Sequence, residues 1–283
     1  MNIVSGFISN INRRDDRDIT KYLKFGVELM AVEIPLTVFI EKAVFDKHIL
    51  GRFSSFSRLD GDFIYRIRGG AMDGIQQKYS YAKIGHITFV FFEIPDLFLW
   101  SYRAMANRFQ LNTGNPKKDT LEYMMVQCQK SEWMAIASLL GGGAGVEYVW
   151  IDFGAFHMFD GKIDVFQTEL YKLRGRINRR VLQGGVSDRV TFARCWDPNN
   201  TYYGDIYKEI NWLFAGSVFG GGRNAIQQFA VRVREMCLRV LRERNTLMWE
   251  INIWVLIYRE VPELFALYPS DHSEILFRGY CKN

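Results

Sequence analysis

The chain has 283 residues, 48% of them hydrophobic and 15% aromatic, which excludes a disordered protein and suffices for one large or two small buried cores. Lys and Arg number 36 against 31 Asp and Glu, and the resulting charge of +5 suits an anionic small molecule as well as it suits nucleic acid. Cys128, Cys195, Cys237 and Cys281 lie too far apart for a paired metal motif and make a poor disulfide framework, so a reducing compartment is expected.

The first residues lack the basic segment and long apolar stretch of a leader, and Ile3 to Ile8 reads as the first core strand. No run reaches the roughly eighteen apolar residues of a membrane span, so a cytoplasmic protein without a transmembrane segment is expected. Thr20 to Val32 carries Tyr22, Leu23, Phe25, Leu29 and Met30 at helical spacing, and Pro35 to Glu41 forms a second strand. Strand, helix, strand is a βαβ unit, which implies a parallel pair with a right-handed crossover. Arg13 and Arg14 fall in the loop after the first strand, at the rim where phosphates are usually held; a solvated basic turn accounts for them equally well.

His86 to Ile94 is a third strand, ending near Pro95. From Asp119 to Leu140 the apolar positions Leu121, Met124, Met125, Cys128, Met134 and Leu139 alternate with polar ones, a helix whose methionine stripe belongs to the core. After the glycines of 141–145 comes Tyr148 to Ile151, apolar, β-branched and too short for a helix, hence a buried strand. It delivers Asp152 at its carboxyl end and His157 five residues later. In open α/β sheets ligands bind in the crevice beyond the carboxyl ends of strands, although an aspartate there is more often a turn or helix cap than a ligand.

Thr168 to Val181 is the most basic stretch, with Lys172, Arg174, Arg176, Arg179 and Arg180, and a solvated helix face explains it better than nucleic acid, since no aromatic-and-glycine RNA signature accompanies it. Val190 to Cys195 and Trp212 to Phe219 read as strands, with Gly220, Gly221 and Gly222 directly after. Asn224 to Arg244 is a strongly amphipathic helix, and a last helix runs from about Trp249 to Leu267, interrupted or restarted at Pro262. With no repeat and no low-complexity linker, residues 1–283 are expected to form a single domain.

Several familiar motifs fail. Asp152-Phe153-Gly154 matches the metal-binding tripeptide of protein kinases, but no His-Arg-Asp loop or early glycine-rich loop accompanies it. Gly141 to Gly145 precedes a strand where a dinucleotide fingerprint follows one, and no P-loop, nucleophile elbow or His-Glu-x-x-His is present. What remains is Asp152 with His157, and Asp271-His272 in the carboxyl-terminal turn; carboxylate oxygen with imidazole suits Mn²⁺ or a similar divalent ion sharing its shell with phosphate. Taken singly, each histidine is more simply a hydrogen-bonded structural residue. Glu250 lies between Trp249 and Trp254 in an apolar helix start, where a carboxylate tends toward a raised pKa useful for proton transfer; a first-turn acid favoured by the helix dipole is the plainer account.

Three stretches carry a family likeness: Val149 to Gly154, Phe214 to Gly221, and Trp249-Glu250 with Tyr258 to Tyr268. In order and spacing they resemble the HtrL/YibB-type proteins of bacterial surface-polysaccharide loci, and the likeness extends to the first strand with Arg13 and to the helix around Tyr123 to Lys130. That resemblance implies a GT-A-like, Rossmann-like α/β/α sandwich with a mostly parallel central sheet. Its nucleotide-sugar half would take in about 1–157 and its acceptor half about 158–283. The implied activity is transfer of a sugar from a UDP- or GDP-linked donor to a glycan acceptor in polysaccharide biosynthesis, with Mn²⁺ or Mg²⁺ at an Asp-x-Asp motif.

Asp152 would be the first aspartate of that motif, and Gly154 stands where the second should be, which passes metal coordination to His157 or to Asp271 and His272, with His272 the better placed. Ser5, Gly6, Phe7 and Arg13 would hold the nucleoside and diphosphate, and Lys130 would add positive charge. Gly216, Gly220 and Gly221 would let the acceptor sugar approach the backbone beside Trp249. Glu250 would orient or deprotonate the acceptor hydroxyl, while Asp152 and its cation would neutralise the leaving diphosphate. The competing expectation is a non-catalytic carbohydrate- or nucleic-acid-binding protein.

Overall fold

The computed structural model describes residues 1–9, 11, 19–69, 72–106, 115–141, 145–197 and 204–281. Nine strands form one sheet in the order β3-β4-β5-β2-β1-β6-β8-β7-β9. At its centre β1 (Asn2–Phe7) pairs in parallel with β2 (Leu36–Ile40) on one side and with β6 (Glu147–Ile151) on the other, and β2 pairs in parallel with β5 (Ile87–Phe91). Helix α1 (Ile19–Met30) makes the crossover from β1 to β2, as the βαβ reading requires.

The sheet is mixed where a mostly parallel one was expected. The strands β3 (Arg58–Arg66) and β4 (Gln76–Ile84) run antiparallel to each other, and β4 runs antiparallel to β5. On the far side β8 (Phe214–Gly222) runs against both β6 and β7 (Val190–Arg194), and β9 (Phe265–Pro269) closes the sheet parallel to β7. The turn from β4 to β5 passes through Gly85, whose φ of 57° is left-handed, and a turn this short leaves only an antiparallel pairing.

Strand β9 had been expected as the tail of the last helix. Pro262 decides the matter, because its ring cannot continue the hydrogen-bond ladder. Helix α6 (Glu250–Glu260) stops just before it, a single 3₁₀ turn follows, and the apolar run after that is free to extend beside β7.

Helices cover both faces of the sheet, so the central strands are buried on both sides and read as unbroken apolar runs. Alternate residues feed two cores. Phe39, Trp150, Phe192 and Phe219 point to the face covered by α3 (Leu121–Leu140), α5 (Arg223–Arg244) and α6. Val38, Val149, Ile151 and Val218 point to the other, covered by α1, α4 (Ile163–Gly184) and α7 (Ile275–Gly279). A short helical segment, α2 (Lys42–Val44) with its continuation to 53, connects β2 to β3. No helix among the described residues is long and apolar enough to cross a membrane.

One aromatic row crosses the sheet on the α3 face. Phe39, Trp133, Trp150, Phe219, Phe192 and Phe265 follow one another with ring centroids 5.0 to 6.3 Å apart and near-parallel planes. Five of the six stand on strands; Trp133 descends from α3 because Gly6 of β1 leaves the space open. A Cβ on Gly6 would lie 2.6 Å from Trp133 Cζ3 and 3.2 Å from Trp150 Cη2. Gly6→Ala should therefore cost about 1–3 kcal/mol by overpacking, read as a lower urea midpoint at unchanged slope. A midpoint equal to that of the parent would show that the row yields easily.

Candidate functional site

The carboxyl ends of β1, β2, β5, β6, β7 and β9 share one edge of the sheet. From β1 the chain crosses to β2 on one side, while β6 joins on the other, so the gap between β1 and β6 is a topological switch point, the kind of crevice that binds ligands in open sheets. The β1–β6 ladder ends at Val4 and Trp150, and Ser5 Oγ then donates to Ile151 O at 2.7 Å, holding the strands together one residue further. Asp152 follows immediately, its backbone N–H on Ser217 O at 3.0 Å.

The Asp152 carboxylate is fixed from two sides. Trp150, two residues earlier and on the same strand face, donates its indole N–H to Oδ1 at 2.7 Å. Lys130 Nζ, reaching down from α3, stands 3.0 Å from the same oxygen. The ammonium also lies 3.0 Å from Glu250 Oε1 and 3.3 Å from Gly216 O, so its three hydrogens meet three oxygens. The indole ring of Trp150 lies 5.7 Å from Nζ as a fourth, weaker partner.

Burial works against the charge on Lys130, but Asp152 and then Glu250 more than offset it, and the pKa of the ammonium is raised. One ammonium between two carboxylates leaves the cluster with a single net negative charge. Exposure separates the carboxylates: the Asp152 side chain is 33% exposed and that of Glu250 only 7%. Asp152 is thus the member that solvent and ligands reach. Tyr123, one helical face along α3, has its phenol pKa pushed well up by burial, with Glu250 and Asp152 as the next causes, and stays protonated.

Of the residues expected from the sequence, the structure brings Asp152, Lys130, Glu250 and Gly216 together. Glu250 is not the isolated acid in apolar surroundings that the flanking tryptophans suggested; it sits in the first turn of α6 with Lys130 against it. At Gly216 the space a side chain would take is filled by Glu250, whose Oε1 lies 2.5 Å from where a Cβ would be. Gly220 and Gly221 are no loop either. They are buried in β8, where an added Cβ would meet Tyr148 O at 2.3 Å and Arg189 O at 2.7 Å.

Ser5 is fully buried on its strand contact, and Phe7 is buried with its ring against Tyr22 and Phe153, which leaves neither side chain facing the crevice. Trp249 is buried too, its indole N–H on Asp119 Oδ1 at 3.1 Å, so it offers no face for a sugar to stack on. Arg13 lies outside the described residues.

The histidines expected to complete a metal centre go elsewhere. His157 Nδ1 is 2.6 Å from Gly154 O and its ring lies near Phe25. His272 follows β9 on the same sheet edge but packs edge-on against Trp212 at 4.5 Å, and burial lowers its pKa more than neighbouring Asp271 raises it. Asp271 accepts from Ser273. Among the described residues no three His, Cys, Asp or Glu side chains come together as a metal-binding group. Asp152 Oδ1 is already on an ammonium and an indole and only its Oδ2 is open, so the described residues do not by themselves fit a Mn²⁺ or Mg²⁺ centre.

Among the described residues, four of the five basic residues of α4, all but Arg179, have partners. Lys172 pairs with Glu169, Arg174 donates to Glu33 O, Arg176 to Tyr280 O and Phe277 O, and Arg180 pairs with the buried Glu147. These bonds tie α4 to its neighbours and leave little of that face for a phosphate backbone. An open groove of about 340 Å³ lies along β3 and β4, lined by Lys42, Arg58, Asp60, Asp62, Tyr81 and Phe91 among others, and shares no residue with the Asp152 cluster.

No protein-family model and no curated protein matches the chain. Among solved structures, the chain is similar to the apo form of mouse xyloside xylosyltransferase 1, with 10% sequence identity over 94% of this chain and 84% of that one. The TM-score is 0.40, too slight a likeness to bear on activity.

Proposed function

We propose that the protein is a glycosyltransferase of GT-A-like architecture that moves a sugar from a UDP- or GDP-linked donor to a glycan or oligosaccharide acceptor. One observation carries this reading: a partly exposed carboxylate, Asp152, held from two sides, stands at the carboxyl end of a central strand beside the switch point of the sheet. The resemblance of Val149 to Gly154 and its companion stretches to proteins of surface-polysaccharide loci supports the choice of donor.

The chemistry follows from the charge of the cluster. In glycosyl transfer the bond from the anomeric carbon to the diphosphate oxygen breaks while the acceptor oxygen bonds to that carbon and its proton passes to the departing diphosphate, and the ring passes through an oxocarbenium-like state. A fixed net negative charge beneath the ring opposes that positive charge without having to reorganise. Asp152 Oδ2, which has no partner among the described residues, accepts a sugar or acceptor hydroxyl. Glu250 stands behind Lys130 and acts by holding it. The diphosphate lies away from this negative cluster, toward the carboxyl end of β1.

A thermal-shift screen of UDP-, GDP- and CDP-sugars, each with Mn²⁺ and with EDTA, tests this. One donor at a hundredfold excess over its Kd should stabilise the fold by about 2.7 kcal/mol, a shift of several degrees, and equally in EDTA. The absence of a shift from every donor would end the reading. Binding to single-stranded RNA that falls steeply with salt would replace it with the nucleic-acid alternative.

A further inference from the structure

We propose that two copies of the chain join edge to edge through β3, paired antiparallel about Ile64. Among the described residues this strand is the last in the sheet on its side; its edge carries charges at Asp60, Asp62 and Arg66 but no Lys, no Pro and no bulge, and its register with β4 is unbroken over nine pairs. Ile64 is 65% exposed and Leu59 60%.

Ile67 N–H bonds Ile75 O, and Gly74 N–H bonds Ile67 O, so residue 67 turns its backbone groups toward β4. By the two-residue period 65, 63, 61 and 59 do the same, whereas Asp60, Asp62, Ile64 and Arg66 turn their N–H and C=O outward. Among the described residues no group bonds those outward atoms.

Charge selects both the occupant and the register. A two-fold pairing centred on Asp60, Asp62 or Arg66 sets that residue against its own copy, like charge on like, which is destabilising. Centring on residue 61 faces Asp60 with Asp62; centring on 63 pairs Asp60 with Arg66 and centring on 65 pairs Asp62 with Arg68, but each sets the exposed Ile64 against a charge. Centring on Ile64 alone sets Ile64 on Ile64, Asp62 on Arg66 at both ends, and Phe63 across from Tyr65. Beyond the paired stretch, Asp60 comes opposite Arg68.

The Arg66 and Arg68 side chains have no acidic partner among the described residues, while Asp60 and Asp62 are about half exposed in pairs with Arg58 and Lys78. Asp60, Asp62, Arg66 and Arg68 thus each meet an opposite charge on a second copy, and the contact is isologous and closes as a dimer.

Sedimentation equilibrium over about 1–100 μM decides it. The unaltered protein should dimerise, Asp62→Arg should weaken dimerisation about tenfold or more, and Asp62→Arg with Arg66→Asp should restore it. A monomer throughout that range overturns the proposal, as does a dimer that Asp62→Arg leaves intact. Ile64→Lys, at an exposed site where folding is unaffected, should also yield a monomer; a dimer persisting there overturns it equally.

Discussion

Lys130→Met should cost about 3–5 kcal/mol of folding stability, the penalty of stripping the partner from a buried charge. The loss falls on Glu250, since Asp152 can turn its carboxylate toward water and Glu250, 7% exposed beneath the α3 helix, cannot. Adding Glu250→Gln should therefore recover most of it, because a neutral amide tolerates the same site far better than a carboxylate does. Urea unfolding of the four proteins in that cycle gives the coupling directly. A single-variant loss below about 1 kcal/mol would show that the ion pair is incidental. The same group sets an alkaline limit: with its folded pKa raised above 10.5, its contribution is complete below that value and disappears as pH climbs through the raised pKa.

Asp152→Asn should lower sugar transfer on the order of 10²–10³-fold while leaving nucleotide-sugar affinity nearly unchanged. The amide keeps the shape and an oxygen able to accept from both Trp150 and Lys130, so stability should stay within about 1 kcal/mol of the parent. The net charge under the reacting ring changes from minus one to zero, and an amide NH2 replaces the oxygen that accepts the hydroxyl. Nucleotide release measured beside a binding titration separates the two quantities. Turnover within tenfold of the parent would remove Asp152 from the reaction.

Much of the fold could be read from residues whose signals are local. The runs Ile3 to Ile8, Pro35 to Glu41 and Tyr148 to Ile151 are apolar on both sides because helices cover both faces, and that made β1, β2 and β6 visible. The hairpin of β3 and β4 is not legible as alternation because the exposed Leu59 and Ile64 blur the polar face and Gly61 breaks the apolar one, even though Tyr65 and Tyr79 are buried. At the site, Asp152 announced itself by its place after a strand. Its partners did not, since Lys130 and Glu250 lie 120 residues apart in the chain and meet only through packing. Trp150 could have been found, because a two-residue offset on a strand puts both side chains on one face.

Trp150 belongs at once to the aromatic row and to the grip on Asp152. Where the carboxylate sits is therefore decided by the stacking of six rings from Phe39 to Phe265, most of which never approach a ligand. Drift at a remote rung such as Phe192 would be transmitted to the Asp152 carboxylate as a displacement. The lineage would then be expected to vary its specificity in loops and to keep this girder fixed.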